Sequence, residues 1–279
     1  MAGDIECKFE RLLEVLGRFE SMIVAFSGGV DSAFLLSVAH QKLGSKVVAV
    51  TAESVIYPVS ETERARAFAK DLGVEHVVIR SNEMGIPGFV ENGPERCYHC
   101  KKAMIEKLFE VAASRDIRWI AHGANADDPD DFRPGLRATE EEGILAPLLE
   151  AGLTKEDIRE ISRAKNLPTW NLPTMACLAT RIPYGTKITA QKLTAVRDAE
   201  QCLKRLGFRQ ARVRHHGTTA RIEIPPELFE RIIDPDRRTA IVEAFRSIGF
   251  LHVALDLEGY VSGKMNRELL PRFDEDPLQ

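Results

Sequence analysis

The sequence predicts an α/β protein, a doubly wound parallel sheet followed by a smaller C-terminal α+β domain. Short apolar runs alternate with amphipathic stretches up to about residue 187, the signature of strands and helices in turn. A glycine-rich turn, SGGVDS at residues 27–32, stands directly after the first apolar run, where an open α/β sheet places its ligand. From about residue 188 the order becomes helix, strand, strand, helix, strand, which marks a separate domain.

Element by element, IECKFERLLEVLGRF carries apolar residues at helical spacing, and SMIVAF after it reads as a buried strand. SAFLLSVAHQKLG is the next helix, closed by Gly44. KVVAVT is the second strand, and Ser60 with Glu63 predicts a capping box opening ETERARAFAKDLG. EHVVIR is the third strand. After a Gly/Pro-rich connection, CKKAMIEKLFEVAASR is helical and RWIAHG is the fourth strand. Thr154 and Asp157 cap TKEDIREISRAKN. In the second domain TAQKLTAVRDAEQCLKRLG is a helix, ARVRHH and ARIEI form a hairpin around HHGT, and RTAIVEAFRSIG and LHVALDL complete the set. The expected domains are 1–187, including the Pro- and Thr-rich stretch NLPTWNLPTMACLATRIPYGTK, and 188–279, with FDEDPLQ a loose tail.

At 279 residues and 44% hydrophobic the chain is long enough for two cores. MAGDIECKFE has acids where a secretory signal needs bases, and no apolar stretch approaches the ~18–20 residues of a membrane span. The expected location is the cytoplasm, without a membrane partner. A net charge of −4 gives no global attraction to nucleic acid. Five cysteines are few, and a reducing compartment disfavours disulfides, so Cys97 and Cys100 in ERCYHCKK read as metal-binding or catalytic. Cys7 and Cys202 fall within predicted helices and read as packing residues.

SGGVDS places backbone N–H groups of a helix start toward an arriving anion. Gly28 and Gly29 allow close approach and positive φ, and Ser27 and Ser32 add hydroxyl donors. The Walker pattern GxxxxGK[ST] is absent. SGGVDS resembles the loop of the PP-loop ATP pyrophosphatases, which cleave ATP between the α and β phosphates to adenylate a substrate. That resemblance implies an ATP site at Ser27, Gly28, Gly29, Val30, Asp31 and Ser32, with Asp31 helping to hold Mg²⁺. TAES at 51–54 puts Ala52 and Glu53 at the pocket edge, and HGANADD at 122–128 puts Gly123 and Asn125 near the AMP part and Asp127 or Asp128 near the metal. A solvated loop is the competing reading for Asp130 and Asp131.

TMACLATRIPYG at 174–185 combines a lone Cys177 with Arg181 and a Pro-Tyr-Gly turn. With SGGVDS and the RVRHHG/ARIEI hairpin it resembles the LarE family, ATP-dependent sulfur transferases of nickel-pincer cofactor synthesis, over nearly the whole chain. The resemblance implies that a pyridinium biscarboxylic acid mononucleotide is adenylated on a carboxylate and receives sulfur from Cys177, with Arg181 beside it. Arg212, Arg214 and His216 alternate along one strand and suit substrate anions, a solvated sheet edge being the rival reading; Glu223 shares a face of the neighbouring strand with Arg221 and reads as a substrate-binding residue or simply as the partner of an arginine. Members that use their one cysteine once lack the CxxC, and here the sequence departs from them. Cys97, Cys100 and Cys177 supply three soft thiolates suited to a [4Fe–4S] cluster, as in a cluster-containing LarE branch; structural zinc with a histidine such as His99, or unligated thiols, are the alternatives. The implied partners are a nucleotide-like small molecule and further copies of the chain. The rival functions are tRNA thiolation on the same fold, disfavoured by the acidic balance and by the lack of zinc-ribbon cysteine pairs, and non-catalytic ATP binding.

Overall fold

The computed structural model describes residues 2–128, 134–173, 176–261 and 263–269. Asp130, Asp131, Thr174, Met175 and the tail FDEDPLQ lie outside the described residues. The chain divides into two compact units, Met1–Ile86 with Glu95–Met175 and Pro87–Pro94 with Ala176–Gln279. Residues 176–187, expected with the first domain, thus pack with the second, as does a short segment from the Gly/Pro-rich connection.

In chain order the first unit carries α1 (Ala2–Leu16), β1 (Met22–Ala25), α2 (Val30–Leu43), β2 (Val47–Glu53), α3 (Val59–Leu72) and β3 (Glu75–Arg80). After α4 (Pro87–Val90), which belongs to the second unit, come α5 (Arg96–Ala113), β4 (Ile120–Ala121), α6 (Pro134–Glu141), α7 (Pro147–Glu150) and α8 (Lys155–Ala164). The strands pair in parallel in the order β3-β2-β1-β4. β1 and β2 are apolar on both faces because both faces are covered. Met22, Val24, Val47 and Ala49 pack with Phe34 and Leu35 of α2 and Ile158 of α8, whereas Ile23, Val48 and Val50 pack with Ile105 and Leu108 of α5. That alternation is the doubly wound arrangement read from the sequence.

Two local expectations come out differently. The Ser60–Glu63 box does not form: α3 starts two residues earlier, at Val59, with Pro58 as N-cap and no side-chain cap bond. Proline holds the entry at φ −61°, and its carbonyl already accepts from Glu61 N–H at 2.9 Å. RWIAHG contributes only Ile120 and Ala121 to the sheet; His122 N–H leaves the ladder to donate to the carbonyl of Leu145 at 2.9 Å. The Thr154 box does form, Asp157 N–H donating to Thr154 Oγ1 at 3.2 Å and Thr154 N–H to Asp157 Oδ2 at 3.0 Å.

The second unit adds α9 (Ala190–Arg205), β5 (Arg212–His216), β6 (Thr219–Glu223), α10 (Phe229–Ile233), α11 (Pro235–Ile248) and β7 (His252–Leu255). β5 and β6 form the expected antiparallel hairpin, and β7 adds in parallel to β6. Val213, Ala220 and Ile222 pack on Leu203 of α9 and Phe245 of α11. Side chains alternate along a strand, so Arg212, Arg214, Arg221 and Glu223 line the other face. Segment 87–94 is held by Asn92, fully buried with its backbone at φ 60°. Its Nδ2 donates to the carbonyls of Pro183 at 2.7 Å and Thr186 at 2.8 Å, and more weakly to that of Ile182. Its own carbonyl accepts from Gly185 N–H at 3.0 Å.

Candidate active site

In the first unit the chain leaves the carboxyl ends of β1 and β4 at the point where strand order reverses, so the loops at 27–32 and 122–128 flank one crevice. The two loops touch: a Cβ on Gly123 would lie 2.9 Å from Ser32 N and 3.1 Å from the carbonyl carbon of Asp31. Glycine at 123 is therefore required by close approach. Gly28 takes φ +73°, but Gly29, expected to share that conformation, is extended at φ −81° and ψ 174° as the N-cap of α2. One left-handed residue suffices to turn the chain from strand into helix. Ser27 Oγ and Ser32 Oγ are 3.0 Å apart, and Ser27 N–H donates to Ser32 Oγ at 3.3 Å. The hydroxyls brace the loop, leaving the first N–H groups of α2, which lack helical partners, to face an anion. Val30 is buried at the first position of that helix.

Asp31 sits in the first turn of α2, where its charge suits the helix dipole. Its Oδ2 is paired with the ammonium of Lys155, while its Oδ1 is buried without a hydrogen-bond partner among the described residues. Lys155 also donates its backbone N–H to Asp127 Oδ2 at 2.8 Å. Asn125 and Asp128 are buried and brace the same turn: Asn125 N–H donates to Asp128 Oδ2 and Asp127 N–H to Asn125 Oδ1, each at 3.0 Å. Lys155 thus joins two of the expected magnesium ligands. A single lysine 124 residues from Asp31 gave no motif signal.

Ala52 and Glu53 end β2, and Glu53 lies 3.8 Å from Arg66. Next to them Ser54 Oγ donates to Glu83, a buried carboxylate that Ser81 Oγ also reaches. Thr51 Oγ1 donates to the carbonyl of Phe26, immediately before the glycine-rich turn, at 2.6 Å, and lies 2.7 Å from His76 Nε2. Since Thr51 spends its proton on Phe26, His76 is the donor to Thr51; burial holds the His76 pKa down.

Cys97 and Cys100 are the second and fifth residues of α5, both half-buried and free of disulfide. The start of that helix is braced by Tyr98, whose OH donates to Glu141 at 2.6 Å beneath the Arg137 guanidinium, 4.5 Å from the ring centroid. Two thiols one helical turn apart suit a soft metal. Among the described residues no group of three or more His, Cys, Asp or Glu side chains is arranged to hold a metal ion.

Cys177 belongs to the second unit, half-buried at the start of a 3-10 turn, Leu178–Arg181. Arg181 is buried at 3% exposure. Its Nε and one terminal nitrogen donate to Glu200 at 2.8 and 3.1 Å, and the other reaches the carbonyls of Ala176 and Cys177 at 2.9 and 3.2 Å. Burial opposes its charge, but Glu200 more than offsets this and the pKa is raised. Arg181 therefore shapes the cysteine loop, with its donors already engaged. Arg214 donates to Thr180 O at 2.8 Å and to Glu223, which is fully buried, at 2.6 Å. Arg212 lies across from Glu223 in the register and over the Tyr260 ring at 5.3 Å; burial and then Arg181 push its pKa down. His216, at the end of the strand, is exposed. Cys202 is buried in the core as expected, but Cys7 is exposed on α1 rather than packed.

Residues 19–92 match the asparagine synthase family model. The chain is 41% identical over 265 residues to an uncharacterized protein of Synechocystis sp., covering 95% of this chain and 99% of the other. It is 34% identical over 260 residues to the pyridinium-3,5-bisthiocarboxylic acid mononucleotide synthase of Lactiplantibacillus plantarum, covering 92% and 93%. It is 30% identical over 244 residues to an uncharacterized protein of Methanocaldococcus jannaschii, covering 87% and 92%.

Proposed function

Because this chain belongs to the LarE family, that of the pyridinium-3,5-bisthiocarboxylic acid mononucleotide synthase, within the PP-loop ATP-dependent enzymes, we propose that it uses ATP to convert a carboxylate of a pyridinium biscarboxylic acid mononucleotide to a thiocarboxylate. The observation that carries this reading is the setting of Cys177: a half-buried thiol on a turn whose carbonyls are pinned by a buried arginine. A structural cysteine needs no such fixing; a nucleophile does.

In the first half-reaction a substrate carboxylate oxygen attacks the α-phosphorus of ATP, and the bond to the bridging oxygen of the β-phosphate breaks. The turn at Ser27–Ser32 receives the departing pyrophosphate, and the orphaned Asp31 Oδ1 with Asp127 fits the Mg²⁺ that accompanies ATP. Bound there, the ion supplies positive charge to the phosphates. In the second, the Cys177 thiolate adds to the acyl carbon and AMP leaves. Arg212 holds a substrate anion, while Arg214, engaged by Glu223 and Thr180, fixes the strand that carries it. Loss of the Cα proton then breaks the Cβ–Sγ bond, releasing the thiocarboxylate and leaving dehydroalanine at 177. Cys97 and Cys100 favour a variation on this scheme: with Cys177 they would hold a [4Fe–4S] cluster, which when bound supplies sulfide and spares the cysteine.

Purified protein given Mg-ATP and the mononucleotide is expected to release pyrophosphate; none would overturn the reading. After anaerobic reconstitution, Cys97→Ser is expected to lose iron and repeated turnover together. Dehydroalanine at position 177 in a Cys97→Ala variant with undiminished sulfur transfer would defeat the cluster.

A further inference from the structure

Asp31 has two carboxylate oxygens in unlike settings. Oδ2 faces the Lys155 ammonium, and Oδ1 is buried with no hydrogen-bond partner among the described residues. A carboxylate oxygen without a donor is costly to bury, so the second oxygen is kept for something that arrives from outside. The cation already present is anchored from behind. Lys155 is the first residue of α8, enclosed by the Thr154–Asp157 capping box, and Lys8 Nζ braces Asp157 Oδ2 at 2.9 Å. Its backbone N–H is fixed on Asp127 Oδ2 at 2.8 Å. The backbone of Lys155 is held, whereas its ammonium, at the end of a four-carbon stem, can turn away by rotating side-chain bonds alone.

We propose that Lys155 is a positioning residue that stands in for the metal: its ammonium neutralises Asp31 when no nucleotide is bound and so keeps a bare divalent ion out of the site. This rests on the assignment of Asp31 to Mg-ATP made above. A divalent ion arriving alone has to take Asp31 from the lysine and leave an ammonium beside itself, a repulsion between like charges at close range. The same ion arriving on a triphosphate brings more negative charge than positive, and the displaced ammonium is then no longer opposed. Metal and nucleotide therefore enter together.

The test uses the full chain, freed of metal, with Mn²⁺ as a paramagnetic probe followed by electron paramagnetic resonance without nucleotide. Lys155→Met, which keeps the stem and removes the charge, is expected to bind Mn²⁺ about tenfold tighter or more than wild type. Lys155→Arg, which keeps the charge, is expected to stay as weak as wild type. In the double variant Lys155→Met/Asp31→Asn the gain is expected to vanish. Unchanged Mn²⁺ affinity in Lys155→Met overturns the proposal, as does a gain in Lys155→Arg or one that survives Asp31→Asn. Wild-type pyrophosphate release alongside any of these would leave the proposed function standing and sink this inference alone.

Discussion

His122 follows the last residue of β4 and is held neutral by its surroundings: burial, with Lys101 adding, pushes its pKa down to about 3. The unfolded chain protonates such an imidazole near pH 6.5. Above that pH neither state carries the proton, and stability does not depend on it. Below it the unfolded state gains a proton that the folded state refuses, so stability falls as pH drops from 6.5 toward 3. His76, shifted in the same direction, adds to the fall. The unfolding free energy from urea titration is expected to decline between pH 6.5 and 5, before carboxylates enter, and His122→Gln is expected to flatten the decline. An unaltered slope would remove His122 from the account. Much at this scale was legible in advance. The positive φ of Gly28 was legible because a tight turn restricts residue type locally, whereas Asp31 and Gly123 were drawn from the resemblance of their loops to a family. Lys155 was not legible, because its meaning depends on a partner brought to it only by folding.

The elements that the sequence misdrew were those whose ends depend on one competing contact. Ser60-x-x-Glu63 and Thr154-x-x-Asp157 carry the same capping pattern, yet only the second caps, because Pro58 pre-empts the first. The β5–β6 hairpin was legible from its alternation, and on its polar face the pairing of Glu223 with an arginine was one of the readings open. The side chains of Arg214 and Glu223 are 6% and 0% exposed and joined at 2.6 Å. A buried pair contributes little net stability, while removing one partner strands the other. Arg214→Met takes from the buried Glu223 one of its two arginines, leaving Arg221 at 3.1 Å, and is expected to destabilise the protein by about 1–3 kcal/mol in urea unfolding. The double variant Arg214→Met/Glu223→Gln, which strands no charge, is expected to recover much of that loss. No recovery in the double variant would show that the arginine's packing, not the stranded carboxylate, sets the cost.

At the scale of the whole molecule the parallel sheet was readable because two interleaved sets of apolar residues need two covered faces. Membership of the second unit was not, since residues 87–94 offer only a Gly/Pro-rich run, and their allegiance rests on Asn92. Asn92→Ala loses the side-chain donors and also strains a backbone at φ 60°, and is expected to cost about 2–4 kcal/mol. Asn92→Gly relieves the strain and is expected to fall between that variant and wild type in thermal unfolding; a glycine variant no better than the alanine would remove backbone strain from the account. The same residue makes the second unit unfit for cutting out as a cassette. A gene fragment beginning at Ala176 would encode the three-stranded sheet and α9 to α11 but leave the carbonyls of Pro183 and Thr186 and the N–H of Gly185 without the asparagine that pairs with them. Recombination at the apparent boundary would separate the chain that follows the cysteine turn from the eight residues that brace it.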